Sequence, residues 1–107
     1  MKRGDIVTIA TEGDYGKPRP AVVVQSDWLK SDSVLVALFT STLVDAPLFR
    51  LCVNPSETNG LKPPSQIMVD KILAAPRAKC GAVTGHLDDA AKLSLNHMLS
   101  VILGLAD

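Results

Sequence analysis

An arginine stands between two prolines in Lys17-Pro18-Arg19-Pro20, and this segment runs directly into Ala21-Val22-Val23-Val24-Gln25-Ser26-Asp27. Proline fixes its own φ and drives the residue before it toward extended geometry. Arg19 therefore follows a residue of fixed φ and is itself restricted by Pro20, so its guanidinium leaves the chain from a stiff base. A guanidinium carries a permanent charge and a planar fork of donors that matches phosphate. Local sequence leaves two readings of Arg19 open: a phosphate clamp at the mouth of a strand, or a solvated arginine in a turn. The other chemistry-bearing types are sparse. Cys52 and Cys80 form neither a CxxC motif nor a Cys/His cluster, so no zinc site and no disulfide framework is expected. His86 and His97 both fall late in the chain, the second within a helical pattern where a solvated ring is expected.

The elements that must position Arg19 are short strands. Gly4 to Ala10 is a β-branched run and predicts the first. Thr11 to Pro18 holds Gly13, Asp14, Gly16 and Pro18 and reads as a surface loop. Arg19 to Gln25 is almost wholly apolar, which predicts a strand buried on both faces, and Pro20 at its start is tolerated there. Ser33 to Thr42 predicts a third strand ending in the hydroxyl triplet Thr40-Ser41-Thr42, and Leu48 to Val53 a fourth. After the turn-rich stretch Asn54 to Pro64, Ser65 to Val69 reads as a fifth strand and Ile72 to Ala75 as a short sixth. Pro76 to Cys80 suits one helical turn. Asp88 is an expected N-cap, and Ala91, Leu95, Met98, Leu99, Ile102 and Leu105 share one helical face, with Gly104 as C-cap. The pattern predicts a mainly β fold: a small, strongly bent barrel of five to seven short strands with a C-terminal amphipathic α-helix packed on it.

Residues 1–107 are expected to form a single domain. Hydrophobic residues make up 47% of the chain, enough for a core without metal or disulfides. The low cysteine count fits a reduced, cytoplasmic compartment, and no apolar run approaches the ~20 residues that span a bilayer. The N-terminus shows no signal-peptide pattern. Formal net charge is zero, which excludes a bulk basic field for nucleic acid but not a focused groove. Positive charge is unevenly spread: Arg50, Lys62, Lys71, Arg77 and Lys79 face only Glu57 and Asp70 in the same stretch.

Four blocks in order carry a resemblance: Arg3-Gly4-Asp5-Ile6-Val7, Arg19-Pro20 through Asp27, Val36-Ala37-Leu38-Phe39-Thr40-Ser41, and Val69-Asp70-Lys71. They resemble the MazF/PemK/Kid toxins of type II toxin–antitoxin pairs, and Ser65 to Lys71 resembles one branch of that family. The resemblance implies an SH3-like barrel that pairs as a homodimer and is blocked by a cognate antitoxin protein. It implies a sequence-selective, metal-independent endoribonuclease without a cofactor. The substrate would be single-stranded RNA, commonly mRNA, cut by attack of the ribose 2′-OH on the adjacent phosphate. The products would be a 2′,3′-cyclic phosphate and a 5′-OH end.

Such an attack needs a proton acceptor, a proton donor for the leaving oxygen, and donors for the charge growing on phosphate. Arg19 matches the family's catalytic arginine, and Thr40 its hydroxyl. Asp70 matches an acidic position used by some relatives. Met68 stands where the Kid-type pattern has an arginine, and the loop histidine of some relatives is absent from Glu12-Gly13-Asp14-Tyr15-Gly16. For RNA binding the candidates are Tyr15 by stacking, with Lys17, Ser41, Gln66 and Lys71 along the groove. Trp28 reads as a partner contact or a barrel-end plug, Phe39 and Phe49 as core or interface. Two other readings compete: a CcdB-like gyrase poison, a class that shares the fold but acts through a tryptophan-bearing C-terminal helix end absent here, and a catalytically degenerate relative that only binds antitoxin.

Overall fold

The computed structural model describes residues 1–10 and 17–107. The described chain runs β1 (Asp5–Ala10), β2 (Pro18–Val23), β3 (Ser33–Thr40), β4 (Arg50–Val53), β5 (Ser65–Pro76), a 3₁₀ turn (Arg77–Lys79), β6 (Cys80–His86) and α1 (Asp89–Ile102). The strands make one sheet in the order β4-β5-β3-β2-β1-β6, and every pairing in it is antiparallel.

Strand alternation divides the apolar residues between two clusters, one on each face. Ile6, Val22, Ala37, Phe39, Ile67 and Val69 meet Leu95 and Leu99 of α1 on one face. Val7, Ile9, Ala21, Val23, Val34, Val36 and Ala75 gather on the other. The run Ala21-Val22-Val23 thus serves both clusters, as its unbroken apolarity requires.

Two elements depart from the sequence-based expectation. The fifth and sixth expected strands are one long strand, β5, interrupted by a bulge. Phe39 pairs with Ile67 and Ala37 with Ile72, so several β5 residues stand opposite Leu38 alone. The bulge turns Asp70 and Lys71 outward, whereas Val69 stays in the core. The actual last strand, β6, lies at the sheet edge beside β1 and is mostly exposed. Trp28 is 81% exposed in the turn after β2, which removes the plug reading.

Helix α1 forms where its stripe and caps predict. The Asp88 carboxylate accepts from the Ala91 N–H at 2.8 Å. Ala91, Met98 and Ile102 join Leu95 and Leu99 against the sheet. Gly104 (φ +73°) closes the helix: its N–H donates to Val101 O at 3.1 Å and the Leu105 N–H to Ser100 O at 2.8 Å. Leu105 itself lies past the helix and is 76% exposed, outside the packed stripe. Asp88→Ala removes one cap acceptor and is expected to lower stability by about 1 kcal/mol. A thermal melt checks this, and an unchanged Tm would show that the cap is not holding the helix.

Candidate active site

The Arg19 mounting is set by strand pairing. β1 pairs with β2 from Pro18 to Val22, with Ile9 opposite Arg19 and Thr8 opposite Pro20. β3 pairs with β2 only from Ala21 to Val23. Prolines lack the N–H that a second ladder needs, so Pro18 and Pro20 fall where β2 has only one neighbour. Continued past the Ala21–Leu38 pair, the same register sets Arg19 across from Thr40. The two strand ends therefore leave a gap with Arg19 on one side and Thr40 on the other.

That gap is a cleft of about 490 Å³. Its described lining includes Arg19, Thr40 and Ser41, with Pro18, Pro20, Phe39, Leu61, Lys62 and Pro63, and with Thr8, Ser65 and Thr84. Among the described residues no acidic side chain lines it. The volume lies within the range of small-molecule sites, and donors and cations over apolar walls suit a phosphorylated ligand with a flat ring.

Thr40 is fixed in a way that defines its chemistry. Its Oγ1 accepts from the Thr42 N–H at 3.1 Å. A hydroxyl that already accepts from the backbone still holds its own proton, so Thr40 is poised as a donor. Strict strand alternation after Thr40 would aim Ser41 at the opposite face. The strand ends at Thr40, however, and the turn brings Ser41 into the same cleft.

Gln66 holds this turn from behind. Its Oε1 accepts from the Val44 N–H at 3.1 Å and from Arg50 Nη1 at 3.2 Å. Its Nε2 donates to Val44 O at 2.8 Å and to Cys52 Sγ at 3.4 Å. The side chain is buried and both ends of its amide are engaged, so it braces the 41–44 segment rather than lining the cleft. Arg50, the strand partner of Met68, also turns to this brace, reaching Thr42 O at 3.4 Å.

The remaining expected residues lie elsewhere. Lys17 is exposed just before β2, next to the lining residue Pro18 but not in the lining itself. Asp70 and Lys71 pair with each other at 3.3 Å outside the cleft lining. Tyr15, with Glu12 and Asp14, lies outside the described residues. His86 and His97 are exposed and neither lines the cleft. The Cys80 thiol is pushed up by burial, an effect that the Arg77 charge partly offsets. Lys62, in the sequence only one of several positive charges, joins Arg19 in the lining because the fold brings their segments to one cleft.

The model of the family described as "PemK-like, MazF-like toxin of type II toxin-antitoxin system" matches residues 2–103. The chain belongs to this family. A curated relative, the "Probable endoribonuclease MazF" of Mycolicibacterium smegmatis, is 39% identical over 108 residues, 99% of either chain. Among solved structures, a mycobacterial endoribonuclease in complex with its cognate antitoxin superposes with a TM-score of 0.82 at 20% identity, covering 98% of this chain and 96% of that one. A MazE–MazF structure from Deinococcus radiodurans gives 0.78 at 16% identity, with 97% and 95% covered. These likenesses establish the MazF-type fold for the chain. No described helix is long and apolar enough to cross a membrane.

Proposed function

We propose that this MazF-family chain is a cytoplasmic toxin endoribonuclease, acting as a single domain on single-stranded RNA. It would cut by attack of the ribose 2′-OH on the neighbouring phosphate, leaving a 2′,3′-cyclic phosphate and a 5′-OH. The observation that carries this reading is the convergence of Arg19, Thr40 and Ser41 on one cleft with no acidic side chain in its described lining. The Arg19 fork stabilises the charge that grows on the non-bridging oxygens, and the Thr40 hydroxyl donates to the same phosphate. Ser41 and Lys17 lie beside them as further phosphate contacts, and Tyr15 remains the proposed base-stacking residue. Gln66 supports the site through the 41–44 segment. The ion pair of Asp70 with Lys71, outside the cleft, gives neither residue a part in this scheme.

The nucleophile is already in the substrate, so this chemistry calls for no metal or cofactor. We further propose that the chain works as a homodimer neutralised by a cognate antitoxin protein. Membership in the family supports this.

The test is cleavage of a long single-stranded RNA by the purified, antitoxin-free protein in EDTA. Discrete fragments ending in cyclic phosphate and 5′-OH are expected. Activity lost in EDTA and restored by Mg²⁺ would contradict the mechanism, and a folded protein that leaves RNA intact would contradict the function.

A further inference from the structure

The cleft is lined by a second cation besides Arg19. Lys62 lines it with Leu61 and Pro63, on the segment between β4 and β5. Its mounting repeats that of Arg19, since Lys62 runs into Pro63-Pro64 as Arg19 runs into Pro20. On its other side Leu61 packs against the core that faces α1.

The turn beneath Lys62 is bolted down. Asn59 is only 5% exposed. Its Oδ1 accepts from the Ser56 and Leu61 N–H groups at 3.0 and 2.9 Å, and its Nδ2 donates to Asn54 O at 2.8 Å. Gly60 takes φ +68°, a left-handed conformation that lets the chain reverse against β6. The His86 N–H donates to Thr58 O at 2.9 Å, which ties the turn to the sheet edge. A surface lysine that served solubility alone would need none of this support.

Lys62 is exposed and makes no ion pair or hydrogen bond among the described residues. Lys62 adds a positive charge to a cleft that Arg19 also lines, and positive charge gathered in a cleft draws a polyanion to it. The same lining includes Pro18, Pro20, Leu61 and Pro63, apolar surfaces against which the face of a base can lie.

We propose that Lys62 is a second phosphate-binding residue, holding a backbone phosphate next to the one that Arg19 and Thr40 engage. The proposal rests on the ribonuclease reading above. An ammonium is a point charge on a flexible stem, suited to a phosphate whose orientation varies along a single strand. Lys62 thus fixes the register of the strand, and Arg19 acts at the reacting phosphate.

The experiment uses the antitoxin-free protein and an RNA oligonucleotide containing a mapped cut site. A second oligonucleotide, 2′-O-methylated at the ribose whose 2′-OH attacks, is bound but not cut. Lys62→Ala is expected to raise KM by roughly tenfold with kcat little changed, the mark of a contact made equally in ground and transition states. For the methylated strand, the slope of log K against log salt should fall by about 0.7, the loss of one single-strand phosphate contact. Lys62→Arg should restore most of both, and Lys30→Ala, at the turn after β2, should leave both unchanged. If wild type cuts and Lys62→Ala matches it in KM and salt slope, the assignment fails while the ribonuclease reading stands. If Lys62→Ala is weak and Lys62→Arg does not recover it, the residue is structural and the assignment fails as well. If wild type does not cut RNA at all, the reading fails and the assignment with it.

Discussion

Arg19→Ala is expected to reduce RNA cleavage by at least roughly a hundredfold, with the loss in kcat rather than KM. The argument is geometric before it is chemical. Pro18 and Pro20 hold the backbone on either side, and Ile9 pairs with Arg19 across the β1–β2 ladder, so the alanine variant keeps the cleft and loses only the fork. Arg19 is exposed and belongs to neither apolar cluster, so the Tm should stay close to that of the wild type. The lost interaction is the one that strengthens as the phosphate becomes pentacovalent, and so the effect appears in the chemical step. Arg19→Lys keeps a charge but not the bidentate geometry, and should fall between the two. Single-turnover cleavage of one oligonucleotide by the three proteins checks the order. An alanine variant as active as wild type would remove Arg19 from the site altogether.

The part of this site that could be read in the sequence is the part that is local. Two prolines beside an arginine restrict it whatever the fold does, and Thr40-Ser41-Thr42 closes an apolar run where a strand must end. The helix was legible for the same reason: Asp88, the apolar stripe and Gly104 act within a few residues of one another. β5 was not legible as one strand, because Asp70-Lys71 breaks its apolar run, and only pairing with β3 on one side and β4 on the other shows that a bulge absorbs the break. β6 was missed because Gly81, Thr84 and Gly85 give it little apolar alternation. Those glycines answer to the approach of other segments, which no window of sequence contains. The groove role expected for Gln66 failed to foresee the 41–44 segment, whose backbone engages both ends of the amide. Lys62 stood out only as one charge among several, because Arg19, which lines the same cleft, is far from it in the chain.

The second large effect is expected from one of those glycines. In β6, Gly85 lies so close to the Thr58–Asn59 backbone that an added methyl would fall on the carbonyl groups of that turn. Backbone cannot swing aside as the end of a side chain can. Gly85→Ala must therefore push β6 away from the turn, straining the bond from the His86 N–H to Thr58 O. The expected cost is about 2–3 kcal/mol, which in a domain near this size lowers Tm by roughly 10–20 °C. Gly81 supplies the comparison. Its added methyl would meet the Thr8 hydroxyl, a side-chain atom that can turn away, so Gly81→Ala should lower Tm less. The displaced turn also carries Leu61 and Lys62 toward the cleft, so the Gly85 variant, assayed well below its Tm, should lose RNA affinity as well as stability. Thermal melts of the two variants, followed by KM measurements on the folded fraction, test the linkage. A Gly85→Ala protein that melts within about 2 °C of wild type would show that the turn and β6 are not rigidly joined, and the stiff mounting argued for Lys62 would fall with it.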